Sequence, residues 1–206
     1  CIPTIAPFLL SRLVKSCSHT YPELELLLRE DTTANLLKLL EHGELDLLIL
    51  ALPIDVGGFH CKSVGEDPFK MVMRRELAAT LHTPFDYREL PNQSIFLLER
   101  EHCLTEHALS ACQLRDKDKI NPFAATSLHT LVEMVGAGLG TTFLPQMAID
   151  AGILNNTDLI ALPPPGEQAS REIGLVWRPS TTRVQTFYKI AELLRTLVCP
   201  KAADAQ

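Results

Sequence analysis

The chain has no run of apolar residues approaching the roughly 20 that cross a bilayer, and no charged, apolar and small-residue leader is visible. A protein with no membrane association is therefore expected. It also lacks an initiating methionine, opening at Cys1-Ile2-Pro3, and reads as a piece of a longer polypeptide. The six cysteines (Cys1, Cys17, Cys61, Cys103, Cys112, Cys199) include no C-x-x-C pair and no regular framework of the secreted kind. That points to a reducing cytoplasm, where a disulfide that does form is usually transient and regulatory or catalytic. Positive charge is in deficit, with 19 Lys and Arg against 25 Asp and Glu and a net charge of −6. A surface that neutralises phosphates needs the opposite balance, so this piece alone is not expected to bind DNA. A dinucleotide loop is missing too: Gly136, Gly138 and Gly140 alternate, but they follow a helix-type segment where such a loop needs a strand.

What is present is an ordinary globular composition, 46% apolar and 21% charged over 206 residues, enough for one large or two small domains with a real core. Apolar periodicity predicts helices over residues 7–17, 34–42, 103–114, 128–135, 145–149 and 182–198. Strands are expected over 24–28, 45–52, 69–73, 95–98, 120–125, 141–144, 158–162 and 173–177. The 45–52 run is apolar on both faces, as a parallel sheet covered by helices requires. Pro163-Pro164-Pro165-Gly166 breaks the chain, and residues 200–206 read as a frayed tail. Helix and strand alternate twice, which predicts α/β architecture in two lobes. One lobe is expected over 1–68 and 172–206 and the other over 69–171, the kind of pair that commonly brackets a ligand cleft.

The stretch from Leu97 to Cys112 holds the candidate chemistry. Its front half reads as a buried strand and its back half as a helix carrying Leu104, Ala108 and Ala111 on one face. Nine helical residues advance about 13.5 Å and turn through about 900°, leaving Cys103 and Cys112 on opposite faces. A disulfide needs Cα atoms within roughly 7 Å. Were these two thiols to join, the helix would have to unwind. The plain alternative is that both are small buried hydrophobes.

Several short motifs together carry a resemblance: Ile2-Pro3-Thr4 followed by Pro7, His102-Cys103-Leu104 with a second cysteine at Cys112, Ala125-Thr126-Ser127-Leu128, and Ile173-Gly174-Leu175-Val176 with Arg178-Pro179. In these the whole chain resembles the regulatory domain of the LysR-type transcriptional regulators, and in the cysteine spacing their peroxide-sensing branch. The resemblance implies a periplasmic-binding-protein-like (type 2) fold, two Rossmann-like α/β subdomains joined by two crossover strands. It implies that Cys103 is the peroxidatic cysteine, oxidised by hydrogen peroxide to a sulfenic acid, and that Cys112 is the resolving cysteine that closes a reversible disulfide. Thr4, Thr33, His102 and Arg171 match peroxide-binding positions. It further implies a homodimer assembling into a homotetramer that the disulfide remodels, promoter DNA bound through an N-terminal domain outside this sequence, contact with RNA polymerase, and reduction by a glutaredoxin or thioredoxin-type protein. No cofactor, no metal and no enzyme activity are implied.

The residue chemistry is compatible with those roles. Only a thiolate attacks peroxide usefully, and a helix beginning near Cys103 would turn free N–H groups and positive dipole toward its sulfur. Closing a ten-residue loop restrains the unfolded chain by only about 2.7 kcal/mol, so a disulfide made at the expense of packing is expected to be readily reduced. Taken singly, Thr33 could be a helix cap, Thr4 a turn residue, His102 a satisfied side chain and Arg171 a surface ion-pair partner. The chain departs from the branch at Glu101, where relatives carry glycine, and at Thr105, where they often carry arginine; Glu101 is expected to modulate peroxide sensitivity by stiffening the segment. Three other readings stand beside the sensor: a small-metabolite effector domain with incidental cysteines, a thiol peroxidase, and a metal site at His102, Cys103 and His107 that lacks a further ligand. Dimer contacts are expected on the helices at 33–42 and 127–135, whose Leu36, Leu37, Leu40, Leu128, Leu131 and Val132 exceed what one lobe obviously needs.

Overall fold

The computed structural model describes residues 1–82, 85–99, 103–165 and 169–198. In order the elements are α1 (Ala6–Thr20), α2 (Thr33–Glu41), β1 (Leu48–Leu52), β2 (His60–Arg74), α3 (Arg75–Ala78), β3 (Ile95–Leu98), α4 (Cys103–Ala111), β4 (Ile120–Ala125), α5 (Leu128–Gly136), β5 (Thr141–Pro145), α6 (Gln146–Asp150), β6 (Leu159–Leu162), β7 (Ser170–Trp177) and α7 (Val184–Val198), with 3-10 turns at Tyr87–Glu89 and Lys117–Lys119. The α/β class expected from the sequence is the one that forms. The chain divides into two compact units, Cys1–Asp67 with Glu172–Gln206, and Pro68–Arg171, so the boundary falls inside the long strands β2 and β7.

In the first unit α1 packs on α7, because each presents a stripe at helical spacing: Phe8, Leu9, Leu13 and Cys17 on one, Phe187, Ile190, Ala191 and Leu194 on the other. β1 is buried along its whole length and pairs with β7 from Leu48 opposite Val176 to Leu52 opposite Glu172. This pairing is antiparallel, where the apolar run suggested a parallel sheet; burial on both faces says nothing about strand direction. The Arg178 guanidinium donates to the Leu40 carbonyl, satisfying an acceptor at the end of α2, and to the Leu45 carbonyl in the segment that follows.

Residues 24–28, expected as a strand, form no ladder. They line an open apolar cleft of about 290 Å³ with Leu10, Leu13, Phe187 and Ile190 beneath, and Leu27 is 87% exposed. The nearest approach to pairing is a single rung, Cys1 N donating to Arg29 O at 2.8 Å and Asp31 N to Cys1 O at 3.3 Å. Without a neighbouring strand to take its amides, an apolar run has no reason to remain regular.

The second unit is built on a sheet in which β3 runs parallel to both β4 and β5, while β5 and β6 pair antiparallel with β2. Phe69, Met71, Val72, Met73, Phe143 and Leu144 fill its core. Ser127 caps α5, its hydroxyl accepting from Thr130 N at 3.1 Å, as the Thr126-Ser127 signal indicated. Most of the apolar residues expected as spare dimer surface belong to the core of their own unit. Leu36 and Leu40 are buried in the first unit and Leu128, Leu131 and Val132 in the second, so the core accounts for five of the six, and Leu37 alone is partly exposed.

Candidate functional site

β3 delivers the chain to α4. The strand is buried throughout, its end is extended by Glu99 N donating to Ala125 O at 2.9 Å, and α4 opens at Cys103. Thr105 fixes the first turn of α4 to that strand: its buried hydroxyl donates to Leu98 O at 2.8 Å. The departure at Thr105 therefore has a packing role, which an exposed arginine could not fill. Leu104, Thr105, His107 and Ala108 face inward, and Cys103 is partly exposed at the helix start.

Helix α4 is shorter than the expected 103–114, ending at Ala111. Cys112 follows directly, 1% exposed, with its N–H donating to Ala108 O at 2.9 Å. Gln113 then turns left-handed at φ 52°, and Leu114 N donates back to Leu109 O at 3.1 Å, closing the helix end. The two thiols thus stand at the two ends of one helix. Their environments differ. Burial pushes the Cys112 thiol up to about 12, an effect that the adjacent Tyr87 hydroxyl offsets in part. In this seat Cys112 holds almost no thiolate at neutral pH and is a poor nucleophile.

Tyr87 has a clear role in this geometry that the sequence reading missed. Its Oη donates to the Cys112 carbonyl oxygen at 3.1 Å. The D-x-x-E spacing of Asp86 and Glu89 could have announced the turn that carries it, since the two form a capping box. Nothing local announces a partner 25 residues away.

Of the expected peroxide-binding residues, Thr4 is buried in the turn before α1 and Thr33 is the first residue of α2, both in the first unit. Arg171 lies on β7 in the second unit and is 1% exposed, which removes its reading as a surface ion-pair partner. His102 and Glu101 lie outside the described residues, as do Cys199 and the tail at 200–206. His19, His42, His60, His82 and His129 are all exposed. Among the described residues no three His, Cys, Asp or Glu side chains are grouped to hold a metal ion, and no helix is long and apolar enough to cross a membrane.

The chain belongs to the LysR substrate binding domain family, whose model matches residues 1–198. Within that family it is similar to OxyR regulatory domains. The reduced regulatory domain of OxyR2 from Vibrio vulnificus is 62% identical, with a TM-score of 0.93 over 96% of this chain and 92% of that one. The reduced OxyR regulatory domain from Pseudomonas aeruginosa is 28% identical, with a TM-score of 0.80 over 94% of each chain. Among curated relatives, the transcriptional regulator EstR of Acinetobacter baylyi is 34% identical over 95% of this chain and OxyR of Escherichia coli 32% over 94%. The chain spans 65% and 63% of those two proteins, just under two thirds of their length. These relatives are transcriptional regulators, and the periplasmic-binding-protein-like fold expected from the resemblance is the fold they share.

Proposed function

We propose that this chain is the hydrogen-peroxide-sensing regulatory domain of a LysR-type transcriptional activator. The observation that carries the reading is the placement of Cys103 and Cys112 at opposite ends of α4, in a chain closely similar to an OxyR2 regulatory domain. In the proposed reaction the Cys103 thiolate attacks one oxygen of hydrogen peroxide, the O–O bond breaks, and hydroxide leaves, giving a sulfenic acid. The Cys112 sulfur then attacks the Cys103 sulfur; the S–S bond forms as the S–O bond breaks, and water departs. Cys103 is the partly exposed thiol at the start of α4, open to the reagent. Thr4, Thr33, His102 and Arg171 are assigned to peroxide binding, and Glu101 to tuning its sensitivity.

Because an intact α4 holds the sulfurs apart by about its own length, oxidation must remodel this segment. We assign the output to a homodimer or homotetramer that acts on promoter DNA through a separate N-terminal domain and contacts RNA polymerase in the cytoplasm. A glutaredoxin or thioredoxin-type protein resets the disulfide, so the domain reports peroxide and does not consume it in turnover. The 62% identity to the OxyR2 regulatory domain favours the sensor over a metabolite-effector domain. Peptide mass mapping after stoichiometric peroxide tests the proposal: a Cys103–Cys112 linked peptide is expected, and unmodified thiols at both positions would refute it.

A further inference from the structure

Resting on that reading, we propose that Tyr87 is the latch of the switch: its hydroxyl, bound to the Cys112 carbonyl oxygen, holds the resolving cysteine in its buried seat and must release it before the disulfide can close. The last carbonyls of a helix have no intrahelical N–H to receive. At the end of α4 the Cys112 carbonyl is one of these, and Tyr87 Oη supplies the donor at 3.1 Å.

The tyrosine is itself firmly held, which is what makes it a latch. Asp86 Oδ1 accepts from Arg88 N at 2.8 Å and Glu89 Oε1 accepts from Asp86 N at 2.9 Å, closing the turn around Tyr87. Glu89 Oε2 also binds His82, through its ring at 2.7 Å and its N–H at 3.0 Å. The ring of Tyr87 stands edge-on to Phe85, centroids 6.3 Å apart, and to Phe143 in the buried strand β5 at 6.1 Å. One side of the contact is thus anchored to the sheet and the other sits at the end of the helix that must open. When the sulfenic acid forms on Cys103, Cys112 has to leave this seat, its thiol losing a proton and its sulfur replacing hydroxyl on Cys103 with loss of water. The Tyr87 bond to the Cys112 carbonyl holds the reduced arrangement, so it slows the second step and biases the equilibrium toward the dithiol; the help the same hydroxyl gives the Cys112 thiolate works the other way and is the smaller effect. It has no part in the first step, the attack of Cys103 on peroxide.

Tyr87→Phe removes the oxygen and keeps the ring. After addition of hydrogen peroxide, Cys103 sulfenic acid is trapped with dimedone and disulfide closure is followed by mass spectrometry, alongside equilibration of the pair against glutathione. The variant is expected to form sulfenic acid at the parent rate, to close the disulfide about twofold to tenfold faster, and to shift the glutathione equilibrium toward the disulfide by a similar factor, the worth of one hydrogen bond. A general loss of packing would change both steps and would not be confined to closure. Asp86→Ala, which removes the acceptor for Arg88 N and so loosens the turn while leaving the tyrosine in place, is expected to give a smaller acceleration in the same direction. Unchanged or slower closure in Tyr87→Phe, with normal sulfenic acid formation, overturns the latch. Absence of sulfenic acid in the parent protein overturns the sensor reading on which it rests.

Discussion

Cys103→Ser is expected to leave the protein inert to stoichiometric hydrogen peroxide, with its reaction rate at about one hundredth of the parent's or less. A serine hydroxyl stays protonated at neutral pH and cannot displace hydroxide from peroxide. The question is whether another thiol stands in. Cys17 is buried and its thiol is pushed up by burial. Burial also raises Cys61, with the nearby Glu172 charge adding to it. Cys112, pushed up to about 12, carries roughly a thousandfold less thiolate than a thiol titrating near 9. Each of these three is disfavoured in the form that reacts, whereas Cys103 occupies the partly exposed start of a helix. Peroxide consumption by the purified chain, read by a colorimetric assay with and without the substitution, measures the effect. A Cys103→Ser protein that still consumes peroxide at half the parent's rate would move the reactive sulfur elsewhere.

Gly140→Ala is expected to destabilise the protein by about 3 kcal/mol, the upper end of what overpacking costs. A Cβ at Gly140 would sit 2.0 Å from Ser94 O, 2.8 Å from Ser94 C and 3.1 Å from the Phe96 ring. Two of those atoms are backbone and cannot swing aside. They also belong to the rung that starts the pairing of β3 with β5, since Ser94 O accepts from Thr141 N at 2.7 Å. The strand that presents the reactive segment would therefore be displaced at its root. Gly136→Ala is the control: a Cβ there meets nothing within 4 Å, and alanine is the better helix former by up to about 1 kcal/mol. Urea denaturation of both variants separates the two cases, and a Gly140→Ala protein as stable as the parent would contradict the close approach.

The same three glycines show what a sequence can and cannot convey. Their position after an apolar helical stripe was enough to exclude a nucleotide loop and to place a turn before β5, but the contact with Ser94 spans 46 residues and has no local signature. Alternating buried runs were likewise enough to reveal the α/β class and the strand–helix passage through Cys103. They could not reveal that β1 pairs antiparallel with β7, because burial on both faces is blind to direction. The exposed first half of β2 was missed because it lacks an apolar pattern, and residues 24–28 have the pattern but no ladder. At the site, the start of α4 at Cys103 could be read from spacing, but not its end at Ala111, three residues short of the expected one. The burial of Arg171, the bond from Thr105 to Leu98 and the hold of Tyr87 on Cys112 are all tertiary, made by residues whose types suit exposed turns and caps equally well.

All of the functional reading depends on one event, the unwinding of α4 when its two end sulfurs are joined. Amide hydrogen exchange across residues 103–114, measured before and after one equivalent of hydrogen peroxide, observes that event directly. Loss of protection throughout this segment, with β3 and β5 still protected, is the expected result. A fully linked Cys103–Cys112 pair whose α4 amides exchange as slowly as before would contradict it.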